Sequence, residues 1–329
     1  MIQKTEVTIR DIFQRLLVAL WLRPERALWE AHQLYIVKKF LGEFSQPSLE
    51  YGCTDGALTL VMLDGEFDFN FDNYQDVAWD KDSHLNHDML NSDYFDSFDS
   101  TKNKGKTVAK AARGYFDYGV SWKQTHIQKS QQLDVYKNLE CVNLGAPLDQ
   151  FADNFFATIF APNLFWIQAD KLERSLGELA RVLKPNGRII TIFPDQIQKN
   201  YIFYNFHNQD NEKWLRDLDR GMHLNLTRHA CSLEQWQETF KRNKLVITKH
   251  DKFIPSLVSQ VYQLGLRPMF PVFMNMYGKL KRCGQQDWMD VKRHWIDTSY
   301  HFLGPLCDCE WMEKMKMDKL WHIFELKIL

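Results

Sequence analysis

Residues Glu50-Tyr51-Gly52-Cys53-Thr54-Asp55-Gly56 put an acid, two glycines and a hydroxyl within seven positions, straight after a short apolar run. Glycine lets a backbone come close to a ligand because no Cβ stands in the way. A loop of this kind is either a cofactor cradle or a tight turn between a strand and a helix, and the spacing alone leaves both open. It does exclude some chemistry. No G-x-x-x-x-G-K-[ST] run is present, which argues against a phosphate-gripping NTPase loop. A nicotinamide fingerprint needs G-x-G-x-x-G and an acid about twenty residues on, whereas here the glycines are G-x-x-x-G and the acid precedes them. Cys307-Asp-Cys309 is a lone pair of thiols with no second pair or histidine cluster nearby in sequence, so no metal site is expected.

The elements that must position this loop follow from apolar periodicity. "ALWEAHQLYIVKKFLGEF" carries Leu28, Ala31, Leu34, Tyr35, Val37 and Phe40 at three- and four-residue intervals, a helix closed by Gly42. Residues 1–46 are expected to be helical. "SLEYG" then reads as a strand and "ALTLVML" as the start of a helix. Further strands are expected at Tyr115–Val120, Leu139–Leu144, Phe155–Ala161, Arg188–Phe193 and Lys244–His250, with a last one in "WHIFELKIL". Helices are expected in "KQTHIQKSQQLDVY", over Lys171–Leu183, and through Gln196–Asn243, where "SLEQWQETF" opens on an N-cap serine. Strands alternating with helices and lacking a polar face imply a doubly wound α/β fold, its sheet mostly parallel and covered on both sides.

Two stretches interrupt that series. Between Asp64 and Asp99 the chain holds ten aspartates, one glutamate and one lysine, and 64–106 reads as an irregular, solvated acidic insertion. The interleaved Phe67, Phe69, Phe71, Tyr74 and Trp79 imply that part of it packs on the body. Residues 252–319, rich in Trp, Met and Phe, read as a helical insert before the last strand. No linker splits the 329 residues, so a single domain over 1–329 is expected.

Composition narrows the partners. A net charge of −1 argues against nucleic acid. The six scattered cysteines suit a reducing cytoplasm, the charged N-terminus is no signal peptide, and no apolar run reaches the ~20 residues of a membrane span.

The loop also resembles the first motif of class I S-adenosylmethionine-dependent methyltransferases, an acid-x-G-x-G-x-G turn. "YGVSWKQ" stands where that family has its second strand, and "APLDQFADNFFATIFAPNLFWI" resembles its stretch around strand four. "LGELARVLKPNGRIITIFP" is similar to its E-x-x-R-V-L-K-P-G-G helix and turn into strand five. The order of the four matches, and "LGLRPMFPVFMNM" further on, are similar to type 11 members associated with bacterial polysaccharide and lipopolysaccharide gene clusters. The resemblance implies a seven-stranded Rossmann-like sheet and S-adenosylmethionine as cofactor. It implies cofactor contacts at Glu50, Gly52, Cys53, Thr54, Gly56, Ser121, Trp122 and Gly145, with Glu50 supporting the loop. The pattern is departed from at Thr54, which replaces the middle glycine, at Ser121, where the family usually keeps a ribose-binding aspartate, and at Ala157.

A hydroxyl acceptor of the methyl group needs a base, and histidine titrates near neutrality. The segments after strand five place His223, His207 and Asp195 as the catalytic expectation, while Asn163, Phe165 and Trp166 would line the acceptor side. The reaction implied is O-methylation of a saccharide or surface-glycan precursor. A methyltransferase-like binding or scaffold protein without turnover is the other reading that the departures leave open.

Overall fold

The structure is a computed structural model and describes residues 7–74, 107–202, 228–266, 269–282 and 284–329. Thr8 opens α1 (Ile9–Ala19) with a capping box: its hydroxyl accepts from the Asp11 N–H while the Asp11 carboxylate accepts from the Thr8 N–H. Pro24, pre-set for a first helical turn, starts α2 (Pro24–Leu41), which ends at Gly42 with φ +51°. Next come β1 (Ser48–Tyr51), buried at all four residues, and α3 (Ala57–Met62). A small antiparallel pair follows, β2 (Glu66–Phe67) with β3 (Val108–Lys110). The series continues through β4 (Phe116–Ser121), α4 (Gln124–Ser130), β5 (Tyr136–Cys141), β6 (Phe156–Ala161), α5 (Ala169–Val182) and β7 (Leu183–Pro194). It ends with α6 (Leu233–Arg242), β8 (Leu245–Pro255), α7 (Ser256–Gln260), α8 (Phe270–Leu280), α9 (Gln285–Leu303), α10 (Cys309–Lys314) and β9 (Lys319–Ile328).

Seven of these strands form one sheet in the order β5-β4-β1-β6-β7-β9-β8. Neighbours from β5 to β7 are parallel, whereas β9 lies antiparallel between β7 and β8. The sequence-based expectation of a doubly wound, mostly parallel seven-stranded sheet is what the chain forms. After β1 the chain runs outward through β4 and β5, then crosses back to place β6 on the other side of β1. That reversal puts a crevice at the carboxyl ends of β1 and β6, where open α/β sheets bind ligands.

Several expected boundaries move. The helix in "KQTHIQKSQQLDVY" ends at Ser130, Asp134 turns left-handed at φ +54°, and Tyr136 begins β5. That strand stops at Cys141, not Leu144, and as the sheet edge it is only partly buried. "KPNG" is a bulge inside β7, because β6 pairs with Leu183 and then with Arg188. Strand β8 runs to Pro255, so the helical stretch before β9 begins at Ser256. Of Gln196–Asn243, the described parts are a 3-10 turn (Gln196–Tyr201) and α6, with Ser232 capping α6 as expected.

The acidic stretch, where described, is not a solvated loop. Asp72 is buried and accepts from the Tyr277 hydroxyl, while the fully buried Lys292 donates to the carbonyls of Phe69 and Phe71 at 2.8 and 2.6 Å. Phe67 and Tyr74 are buried too; Trp79 lies outside the described residues.

One side chain fixes the axis of α2. The Arg188 guanidinium donates to the carbonyls of Phe40 (3.3 Å), Leu41 (2.6 Å) and Glu43 (3.1 Å), satisfying the helix's last acceptors with a cation at the negative end of its dipole. Arg188→Met should therefore cost about 2–3 kcal/mol in urea unfolding, with an unchanged denaturant slope. A loss under about 0.5 kcal/mol would show that water replaces the contacts.

Candidate functional site

The turn after β1 is left-handed at three alternate residues: Gly52 at φ +87°, Thr54 at +50° and Gly56 at +74°. These are the three glycine positions of the acid-x-G-x-G-x-G pattern, so Thr54 keeps the backbone shape that a glycine would favour. A β-branched residue there is strained by about 1–2 kcal/mol. Strain of that kind persists where surrounding contacts over-determine it, and here they do. The Val120 carbonyl at the end of β4 accepts from both Gly52 and Cys53 N–H at 2.9 Å. The Asn163 amide donates to the Gly52 carbonyl at 2.7 Å, and the Ser130 hydroxyl donates to the Thr54 carbonyl at 3.1 Å. Side chains cannot replace the flanking glycines: a Cβ on Gly52 would stand 3.1 Å from that of Asn163, and one on Gly56 would meet Ser130, Leu133 and Tyr136 at 3.1–3.3 Å.

Beyond the loop lies a cleft of about 490 Å³, within the 300–1,000 Å³ typical of small-molecule sites. Thr54 and Leu58 form one side, Trp122 and Lys123 follow β4, and Asn163 and Trp166 follow β6. Opposite stands the N-terminal half of α2, contributing Arg23, Arg26, Glu30 and Gln33. An aromatic wall joins the two sides through successive ring pairs: Tyr262–Trp29 (5.2 Å), Trp29–Trp321 (5.5 Å), Trp321–Phe165 (4.9 Å) and Phe165–Trp166 (5.0 Å).

The expected cofactor residues divide. Thr54 and Trp122 line the cleft, and Gly52 and Gly56 shape its floor. Cys53 is buried, its thiol 3.8 Å from the Thr54 carbonyl. Glu50 lies beneath the loop, accepting from the Thr59 hydroxyl at 2.7 Å and the Tyr136 hydroxyl at 2.9 Å. Ser121 is fully buried and its hydroxyl sits 2.8 Å from Nδ1 of His126. Gly145, φ +88°, donates its N–H to the Tyr51 hydroxyl at 2.9 Å. Glu50, Cys53, Ser121 and Gly145 are thus buried and do not line the cleft.

Among the catalytic expectations, His207 and His223 lie outside the described residues. Asp195 is not brought to the cleft. Its carboxylate is buried between Lys252 Nζ (2.6 Å) and His322 Nε2 (2.8 Å) and caps the following turn through Ile197 N–H. Of the acceptor-side expectations, Asn163, Phe165 and Trp166 do line the cleft. Sequence reasoning missed the α2 residues. Glu30 is a carboxylate with its side chain 12% exposed, 3.3 Å from Arg26 Nε. Burial raises its proton affinity and Arg26 partly offsets that. The available signal was polar residues recurring at 23, 26, 30 and 33, one face of a helix read only for its apolar positions.

An S-adenosylmethionine-sized ligand fits this arrangement, since a glycine-shaped backbone turn opens into a cleft of suitable volume at the crevice of the sheet. Thr54 and Trp122 would hold it. Among the described residues no three His, Cys, Asp or Glu side chains come together as a metal set, and no helix is long and apolar enough to cross a membrane.

Two changes test the loop. Burial pushes the Glu50 carboxyl up to about 7 from an ordinary 4.5, the Thr59 and Tyr136 hydroxyls opposing the shift. Between those values the folded protein keeps a proton that the unfolded chain releases, so stability falls as pH rises through that window, by roughly 3 kcal/mol in all. Glu50→Gln, which keeps both accepted bonds, should flatten this dependence between pH 4.5 and 7.5; an unchanged slope would assign it elsewhere. Thr54→Gly should raise stability by about 0.5–1 kcal/mol, relief of backbone strain outweighing the entropy of the added glycine, as read by urea unfolding.

Comparisons with known proteins came out as follows. Residues 104–191 match the family model of a methyltransferase domain, about a quarter of the chain, covering β4 to most of β7 but not the loop after β1. A search of curated proteins finds none that matches. Among solved structures, a putative sarcosine dimethylglycine methyltransferase from Galdieria sulphuraria is 11% identical, with a TM-score of 0.44 over 92% of this chain and 87% of that one. Geranyl diphosphate C-methyltransferase from Streptomyces coelicolor A3(2), solved with Mg2+, geranyl diphosphate and S-adenosyl-L-homocysteine, is 10% identical, TM-score 0.43, over 94% and 84%. The YcgJ protein of Bacillus subtilis is 12% identical, TM-score 0.42, over 90% and 97%. Residues 104–191 thus match a methyltransferase domain, and they lie within the seven-stranded, mostly parallel sheet.

Proposed function

We propose that this chain is an S-adenosylmethionine-dependent methyltransferase acting in the cytoplasm on the hydroxyl of a saccharide or surface-glycan precursor. The observation that carries the methyltransferase reading is the thrice left-handed turn after β1, pinned from both neighbouring strands and opening into the cleft at the sheet's crevice. The cofactor supplies an activated methyl group when bound. The chain's own task is alignment and proton removal. Rings of Trp29, Tyr262 and Trp166 offer flat apolar faces on which the C–H face of a pyranose can rest. Glu30, facing the cleft, takes the hydroxyl proton as the acceptor oxygen is methylated, burial raising its proton affinity above that of an ordinary carboxylate. His223, the sequence-based choice for the same role, remains the competing base.

A second reading, a methyltransferase-like binding or scaffold protein, is favoured by one observation: the Ser121 hydroxyl, at the ribose-binding position, is engaged by His126. Calorimetry with S-adenosylhomocysteine separates the two. Micromolar binding, lost on a Gly52→Val substitution in protein that still melts cooperatively, supports the enzyme; no binding by the wild type leaves the scaffold. With an acceptor in hand, Glu30→Gln should lower kcat by a factor of about 10²–10⁴ with little change in cofactor affinity. Retained kcat would transfer the base role to His223.

A further inference from the structure

The α2 side of the cleft contains polar groups that the fold leaves without partners. Gln33 is only 7% exposed and lines the cleft, yet its carboxamide makes no hydrogen bond among the described residues. Arg23 spends its Nε on the buried Glu25, and its Nη2 is buried with no hydrogen-bond partner. Buried polar groups are nearly always bonded, and an orphan such as Arg23 Nη2 costs about 1–3 kcal/mol, whereas the Gln33 carboxamide stays open to the cleft and is left for a ligand. Arg23 and Arg26 sit at the N-terminal end of α2, interleaved with the acids Glu25 and Glu30. An amide, a guanidinium and a carboxylate on successive turns of one helix face, with ring faces beside them, form a set of planar, bidentate hydrogen-bonding groups around an apolar platform. Vicinal hydroxyls above a C–H face, the two surfaces of a pyranose, match that set, whereas a hydrocarbon acceptor would leave the Gln33 carboxamide unpaired.

We propose that Gln33, Arg23 and Glu30 on α2 are the acceptor subsite of the cleft, binding adjacent hydroxyls of a hexopyranose whose C–H face rests on Trp29 and Tyr262. This rests on the methyltransferase reading and adds which residues recognise the acceptor and through what chemistry. Gln33 donates to one hydroxyl oxygen and accepts from its neighbour. The Arg23 guanidinium, which lines the cleft, donates to a second oxygen. Glu30 accepts from the hydroxyl to be methylated.

The test is binding alone. Saturation-transfer NMR with glucose, galactose, mannose and rhamnose is run on wild-type protein, with and without S-adenosylhomocysteine, and on two variants. Gln33→Met removes the amide at nearly constant volume; the double variant Arg23→Gln, Glu25→Gln removes the guanidinium without stranding the carboxylate. At least one hexose should bind wild type, and each variant should weaken it about tenfold, one buried hydrogen bond's worth. Because the Gln33 amide is unpaired, Gln33→Met should melt at the same or a higher temperature, which a structural glutamine would not do. Cofactor-product affinity should be unchanged in both variants. The proposal is overturned if none of the four sugars binds, if Gln33→Met binds sugar as well as wild type, or if it lowers the melting temperature by several degrees. It is also overturned if either variant loses S-adenosylhomocysteine instead of sugar, which would assign the subsite to the cofactor. Failure of S-adenosylhomocysteine to bind wild type, with sugar binding intact, sinks the parent reading and not this one.

Discussion

Everything at the carboxyl edge of the sheet depends on how the chain leaves β1. The Val120 carbonyl accepts two consecutive N–H groups, from Gly52 and Cys53, and so bends the backbone over the end of the neighbouring β4. Asn163, arriving after β6 on the other side, ties down the Gly52 carbonyl. The turn is thereby held between the two strands whose chain paths diverge. A backbone clamped in this way presents a fixed surface to the cleft, and a fixed surface is what alignment of two reactants demands. The helix Ala57–Met62 begins directly from Gly56, so the clamp also sets the direction in which α3 departs.

Acids in this chain have two kinds of work. Glu50 and Asp195 are both buried and both bonded inside the protein, one through Oε2 to the hydroxyls of Thr59 and Tyr136, the other to Lys252 and His322. They join strands to their neighbours. Glu30 differs because its partner Arg26 shares the same cleft wall. Polarity enters the site through α2, a helix whose far end is anchored by Arg188 on β7 and whose near end carries alternating cations and acids. The sheet provides the platform, and the added helix provides the chemistry.

That division explains what could be read from the residues in order. Buried parallel strands announce themselves as apolar runs, so β1, β6 and β7 were legible, as was the α6 cap at Ser232. The edge strand β5 was misplaced by three residues because its partly exposed, mixed composition resembles helix as much as strand, and only the tertiary bond from Tyr136 to Glu50 decides. The packing of Phe67 and Tyr74 was foreseeable from aromatics set among aspartates. What could not be read was that Asp72 meets Tyr277, some two hundred residues away. For the site, the glycine spacing gave the loop, but Arg23, Glu30 and Gln33 form a set only once α2 is laid across the crevice.

The departures from the family pattern carry different physical weight. At Thr54 the sequence changes and the geometry does not: φ is +50°, and hydrogen bonds from three separate elements hold a turn whose strain is about 1–2 kcal/mol. A loop fixed by its surroundings tolerates a residue that it would not select. At Ser121 the change is chemical. A serine hydroxyl supplies one donor, and here it faces an imidazole nitrogen 2.8 Å away, so a ribose at this place would compete with His126 for it. The Trp122 ring meets the same imidazole edge-on at 5.1 Å, which couples the stacking surface to that hydroxyl. Ser121 is moreover fully buried, so the hydroxyl serves the packing of the β4 end before it serves any ligand.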